Sequence, residues 1–294
     1  MQTHVDAITL KQLRAFVAIA RYENLAQAAE VMFVSRAAMS QTLQELETRL
    51  GRPVFDRVRK RLVINDNGRQ LLPLASEIIE RMQSLNGLFD QQKASVAHLR
   101  LGASQTVGSY LLPGQLAKWQ LADALPDITI RNTSELVSMV ENYELDMAWV
   151  EGEVDRPMIQ AEPCHSDQMS IICSAGDEPA SSVSLSSLAD QAWIVREAGS
   201  GSRRFFETAL LSRLPDAHIL LSMNSNEAVL NAVASGLGLG FLSGLSIADA
   251  LAAGRVAVVD VDETFVRPFY LITHKQRYHS ESHARLADLL HLSS

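Results

Sequence analysis

The chain has 294 residues and a mass of 32.3 kDa, too long for one ordinary core and suited to two or three domains. Apolar residues make up 47% and charged residues 20%, which excludes a disordered chain, and no apolar run approaches the roughly 18 residues that a membrane span needs. The net charge of −8 hides an asymmetry: residues 1–70 carry 11 Lys/Arg against 7 Asp/Glu, whereas residues 71–294 carry 15 against 27, so a basic head is joined to an acidic body, the distribution of a DNA-binding domain attached to something else.

The N-terminal stretch MQTHVDAITLKQLRAF carries polar residues throughout, lacks a long apolar core with a small-residue cleavage site and does not read as a secretory signal. Two cysteines, Cys164 and Cys173, are too few for a disulfide framework. A cytoplasmic location is therefore expected, with no membrane association.

In the head, Leu10, Leu13, Phe16, Val17 and Ala20 form one apolar helical face. Asn24 is an N-cap for a short second helix bearing Leu25, Ala28, Ala29 and Met32. After a break at Phe33-Val34, Ser35 caps a third helix whose Ala38, Met39, Leu43, Leu46 and Leu50 face inward and which Gly51 stops. A short helix, a turn and a longer helix is helix-turn-helix spacing, and the small Ala28-Ala29 pair lets two helices cross closely. Reading helices present their first turn to base edges. Here that turn carries Ser35, Arg36, Ala37, Ser40 and Gln41, and arginine bonds bidentately to guanine as glutamine does to adenine. In residues 52–68, Val54-Phe55 and Leu62-Val63-Ile64 pair as two short strands, with Arg57, Arg59, Lys60 and Arg61 at or near the hairpin tip, a wing suited to tracking phosphates.

Residues 10–69 resemble the N-terminal domain of the LysR-type transcriptional regulators. The likeness is carried by the Ala28-Ala29 pair, Val34-Ser35 before the reading helix, the Ser40…Leu46-Glu47…Leu50-Gly51 pattern, Pro53-x-Phe55-x-Arg57 and the trailing Asn65…Gly68. Many members have Gln-Pro where this chain has Arg36-Ala37, and Ser-Arg where it has Ser40-Gln41, so base preference does not transfer. The resemblance implies double-stranded DNA as a partner, read by Gln27, Ser35, Arg36, Ala37, Ser40, Gln41, Arg57, Arg59 and Lys60. It also implies a homodimer or homotetramer, contact with RNA polymerase, no cofactor and no enzymatic activity.

After the head, Leu71, Ala75, Ile78, Met82, Leu85 and Phe89 are spaced as a heptad seam. Leu71, Ile78, Met82, Leu85 and Phe89 are the expected dimerisation residues, and Pro73 predicts that the helix starts or bends there.

From His98 the pattern turns to short strands alternating with helices, an α/β arrangement with mostly parallel strands. The expected division is 1–66 for the winged helix-turn-helix and 67–93 for the linker helix. Residues 94–294 are then an effector-binding domain of two Rossmann-like lobes, lobe I being 94–162 with 267–294 and lobe II 163–266. The LysR resemblance implies the same periplasmic-binding-protein-like pair with a cleft between. Three strand ends are polar and small: Gly102–Gly108, Arg196–Arg203 and Asn224–Glu227. Each presents amide N–H groups at a helix N-terminus beside hydroxyls or amides, a chemistry suited to anions. The candidate effector residues are Ser104, Thr106, Glu151, Gly199, Ser200, Gly201, Ser202, Arg203 and Asn226. Glu151 is unusual there, because a buried carboxylate repels an anion; it suits a protonated ligand or a hydroxyl.

GSYLLP, DMAWVEG, AWIVREAGSGSR and the Asn226-Glu227-Ala228 triplet resemble the subgroup of regulators of sulfur assimilation, sulfite response and carbon fixation. That implies a small anionic effector, sulfite first and a short organic acid second. The Gly236–Gly240 run ends a helix and starts a strand, the reverse of a dinucleotide loop. His279 and His283 have metal-ligand spacing without an evident third ligand, and no metal is expected. Cys164 and Cys173 read as structural thiols rather than a redox pair. The rival class is a cytosolic α/β enzyme or small-molecule-binding protein with a basic extension, which the reading helix opposes.

Overall fold

The computed structural model describes residues 8–58, 61–87, 99–118, 126–214, 216–279, 283, 284, 286 and 287. Contacts group these into two units, residues up to 94 with 276–284, and residues 95–275 with those after 284.

In the first unit, Thr9 opens α1 (Leu10–Tyr22) with a reciprocal capping box to Gln12. This helix buries Leu13, Ala15, Phe16 and Ile19, while Val17 and Ala20 of the expected stripe are only half-buried. The face is turned enough to bring Gln12 inside, where its Oε1 accepts from Arg49 Nη1 at 2.8 Å. Asn24 caps α2 (Leu25–Val31), which buries Ala28 and Ala29. Ser35 caps α3 (Arg36–Leu50), and Gly51, at φ 71°, ends it in the left-handed conformation that glycine tolerates. Strands β1 (Phe55–Val58) and β2 (Arg61–Ile64) pair antiparallel with Val58 opposite Arg61, the expected wing.

The long helix α4 (Asp66–Gly87) starts at Asp66 and continues through Pro73 rather than starting there. Leu72, Pro73, Ala75 and Ser76 are buried, and packing against α1 offsets the missing amide donor. Residues after 275 return to this helix: Arg277 Nη2 bonds Glu80 Oε1 at 2.5 Å, and the Arg81 guanidinium lies over the Tyr278 ring at 4.6 Å.

The second unit is built on a mixed nine-stranded sheet. Strands β3 (Arg100–Ala103), β4 (Asp127–Ile130) and β5 (Met147–Glu151) are parallel, with α5 (Leu112–Lys118) and α6 (Thr133–Glu141) between them. Strands β7 (Ala192–Arg196), β8 (His218–Met223) and β9 (Leu239–Ser243) are parallel too, with α7 (Gly201–Phe206) and α8 (Asn226–Ala234); α9 (Gly244–Ala252) and the short β10 (Val256–Val258) follow.

Two long strands, β6 (Ile159–Ser174) and β11 (Phe265–His274), run antiparallel through both lobes and join the sets. The expectation of mostly parallel strands thus holds within each lobe and fails at the hinge, where the chain crosses out and back. Strands β5 and β9 are buried along their whole length, as parallel strands covered on both faces must be. Apolar clusters around Leu101, Trp149 and Phe269, and around Trp193, Phe206 and Phe241, cover the sheet in the two lobes. Each lobe also contains a single π-helical turn, Val107–Leu111 ahead of α5 and Glu207–Leu211 continuing α7.

Candidate effector cleft and DNA-reading head

On the head, Ser35 Oγ accepts from Ala38 N at 3.1 Å, which leaves the first turn of α3 projecting Arg36 and Ala37. Gln27, Ser35, Arg36, Ala37, Gln41 and Arg57 are exposed and Ser40 is half-buried. Gln41 Nε2 donates to Glu45 Oε1 at 3.0 Å, so its amide is tethered along the helix. Arg59 and Lys60 lie outside the described residues, as does Phe89. On α4, Ile78, Met82 and Leu85 are exposed and Leu71 is half-buried.

In the second unit the three polar loops do meet. Ser104 and Thr106 come from the loop after β3, Ser202 from the start of α7 after β7, and Asn226 from the start of α8 after β8; all four are buried. At their centre stands Glu151, the last residue of β5 and 2% exposed. Its Oε1 accepts from the Thr106 amide at 3.2 Å, and its Oε2 from Ser202 Oγ at 3.0 Å and Arg267 Nη1 at 2.7 Å. Helix termini and hydroxyls suited to an external anion are thus turned on the protein's own carboxylate. Gly201 makes this approach possible: a Cβ there would fall 2.3 Å from Glu151 Cβ and 2.5 Å from its carbonyl oxygen.

Arg267, on β11, is the counter-ion. It is fully buried, and it spends its fork on Asp167 Oδ2 (Nε, 2.7 Å; Nη2, 2.6 Å), Glu151, Ser202 Oγ (2.9 Å) and Thr106 Oγ1 (3.4 Å). Asp167 faces it across the hinge from β6 and also accepts from Ser243 Oγ at 2.7 Å. Burial pushes the Glu151 carboxyl up, but the Arg267 charge and the surrounding hydroxyls outweigh it and bring the group down to about 2. For Asp167, burial outweighs Arg267 and Ser243, and the carboxyl sits above its ordinary value.

A second guanidinium, Arg196, is also buried. Its Nε and Nη2 grip Glu197 at 2.8 and 3.0 Å while Nη1 bonds Asn226 Oδ1. Asn226 Nδ2 reaches Thr106 Oγ1 at 3.2 Å, and the Asn226 backbone N–H donates to Gln105 Oε1 at 2.9 Å. The lobes are therefore stitched by Ser202–Glu151, Asn226–Thr106 and Asn226–Gln105, with Ser134 N donating to Gly199 O at 3.0 Å beside them. Ser104 Oγ is buried against the Glu151 carboxyl, which it helps hold down, without a hydrogen bond of good geometry to it or to another described group.

Of the nine expected effector residues, Ser104, Thr106, Glu151, Gly201, Ser202 and Asn226 come together. Gly199 and Ser200 shape the loop: Gly199 has φ 92°, and Ser200 Oγ caps the Arg203 amide. The Arg203 side chain turns to Glu207 Oε1 at 2.6 Å and to the Arg196 carbonyl. Sequence reasoning missed Arg267 and Asp167. The signal was available, a lone arginine in β11 and an acidic residue before the apolar end of β6, but their pairing is not local.

The remaining candidates are quiet. Burial pushes the Cys164 thiol up to about 11, and Cys173 is raised by burial and by Glu178 and Asp177, so neither is a ready thiolate. Among the described residues no group of three or more His, Cys, Asp or Glu is placed to hold a metal ion, and no helix is long and apolar enough to cross a membrane.

A winged helix-turn-helix head joined to a two-lobed α/β domain with a polar interlobe cluster defines a ligand-responsive DNA-binding regulator, not an enzyme. The chain belongs to the LysR family: residues 10–69 match the bacterial regulatory helix-turn-helix protein, lysR family, and residues 92–293 match the LysR substrate binding domain. It is 33% identical to an uncharacterised HTH-type transcriptional regulator, YeiE, of Escherichia coli strain K12, over 96% of each chain. It is 28% identical to the RuBisCO operon transcriptional regulator of Allochromatium vinosum, over 87% of this chain and 86% of that one, in keeping with the subgroup its motifs resemble. A full-length OxyR variant from Pseudomonas aeruginosa has the same fold, with a TM-score of 0.74 at 23% identity over 98% of this chain and 96% of that one.

Proposed function

We propose that this LysR-type regulator is controlled by a small oxyanion bound in the interlobe cluster, sulfite first and a short organic acid second. The observation that carries the reading is the convergence of Ser104, Thr106, Ser202 and Asn226, all buried, on the Glu151–Arg267 pair. Glu151 sets the protonation state of the ligand. A singly protonated oxyanion such as hydrogensulfite donates its proton to Glu151 and accepts from Ser104 and the Thr106 amide, whereas a fully ionised one meets a like charge. Binding parts the present interlobe bonds and makes new ones, and that difference in contacts shifts the equilibrium between lobe arrangements.

The same proposal places the domains at 1–66, 67–93 and 94–294. The α3 turn reads bases through Arg36, with Gln27, Ser35, Ala37, Ser40 and Gln41 beside it, and Arg57, Arg59 and Lys60 hold phosphate. The Leu71, Ile78, Met82, Leu85 and Phe89 stripe joins two copies, so that paired heads meet two half-sites. The protein works in the cytoplasm, and its DNA-bound form contacts RNA polymerase.

Calorimetry on the full chain with sulfite, sulfate, thiosulfate, phosphate and small carboxylates tests the effector. Sulfite is expected to give heat and Ser104→Ala to weaken it by about 1–3 kcal/mol. That variant removes a hydroxyl that faces Glu151 without a hydrogen bond of good geometry, so the fold is kept; Thr106→Val also orphans donors from Arg267 and Asn226. Heat from none of the anions, or equal affinity in Ser104→Ala, refutes the anion reading.

A further inference from the structure

We infer that Phe33 is a DNA-contacting residue, its ring set against a thymine methyl group at the edge of the site read by α3. The inference rests on the reading of the α3 turn proposed above and adds a residue to it. Helix α2 ends in a Schellman motif: Phe33 N donates to Glu30 O at 3.0 Å and Val34 N to Ala29 O at 2.9 Å. Phe33 is the residue after the cap, with φ 54°, the place and conformation that glycine or asparagine fills most readily.

Two other described non-glycine residues have positive φ, and each has a local account. Glu23 ends α1 with a polar, exposed side chain, and Tyr143 is buried, its hydroxyl 2.6 Å from His274 Nδ1. Phe33 has no such account. Its side chain is 96% exposed, the highest of any large apolar residue described, so it packs against little of the described structure. Folding thus gains nothing from a phenyl ring here and bears the strain of holding one in the left-handed region; an unexplained outlier of this kind points to function.

The position names the partner. Phe33 stands two residues before Ser35, the cap of α3, and three before Arg36. In the head only Val31 and Phe33 are large apolar residues left exposed among those described, so there is no broad apolar patch of the kind a protein partner covers. A single ring beside a reading turn suits the methyl group of thymine, the one apolar feature of the major-groove edge.

The test uses the full chain and a duplex enriched from random sequence by the wild-type protein. Phe33→Asn, whose side chain suits positive φ, is expected to melt at the same temperature or higher while binding the enriched duplex about tenfold more weakly. Replacing thymines by uracil one at a time is expected to reveal one position where wild type loses affinity and Phe33→Asn does not. Equal affinity of the two proteins overturns the inference, as does the absence of any position where they differ on uracil. Unchanged DNA binding with lost activation by RNA polymerase overturns it as well and assigns the ring to a protein. Arg36→Ala, run beside it, separates the failures: if Arg36→Ala is also silent on the enriched duplex, the reading of the α3 turn has failed, and not the role of Phe33 alone.

Discussion

Arg267→Met removes the cation that, among the described residues, alone pairs with two buried carboxylates, Glu151 at 2.7 Å and Asp167 at 2.6 Å, at a position with no exposure to solvent. Breaking a buried pair from one side costs about 3–5 kcal/mol, because the partner charge stays buried without compensation. The cost must depend on pH. In the wild type Glu151 sits at about 2, below its ordinary 4.5, so the stability it contributes is present above the unfolded value and lost as pH falls through about 2. That shift corresponds to roughly 3 kcal/mol.

Without Arg267 the sign reverses. Burial raises Glu151, and Asp167, already raised, goes further. The folded state then holds protons the unfolded chain has released, and stability falls as pH rises from the unfolded value to the raised folded one, by up to about 1.4 kcal/mol per pH unit per carboxylate. Urea unfolding of wild type and Arg267→Met at pH 5, 6.5 and 8 is expected to give a difference that widens with pH. Adding Glu151→Gln to Arg267→Met should narrow it at pH 8. A difference that is constant across this range, or one that shrinks as pH rises, would refute the reasoning.

Gly201→Ala is expected to cost about 2–3 kcal/mol in unfolding experiments, since its Cβ would meet backbone and Cβ of Glu151 rather than a yielding side-chain tip. Gly114→Ala, where a Cβ meets nothing, is the control and should be neutral or stabilising. Arg36→Ala should weaken operator binding by about 1–3 kcal/mol and relax preference at one base pair, measured by competition with single-site variants. Met82→Glu should dissociate the oligomer in light scattering, because it places a charge in the proposed seam between copies.

The local structure of this protein is legible in its sequence. Asn24, Ser35 and Gly51 delimit the helices of the head through side-chain and backbone chemistry that spans three or four residues, and the structure places those caps where the residues announce them. The strand cores of the second unit are read as easily, because alternation and apolar runs are local too. The polar loops after β3, β7 and β8 are visible as helix N-termini, but the residue they surround is decided elsewhere. Arg267 meets Asp167 across 100 positions of chain and Glu151 across 116, through the antiparallel hinge strands. In sequence Glu151 is a carboxylate that conflicts with an anion site, and Gly201 is one more small loop residue. Only the tertiary structure supplies the buried guanidinium that keeps Glu151 ionised and the close helix approach that requires Gly201, because both depend on which distant backbones come within a few ångströms of each other.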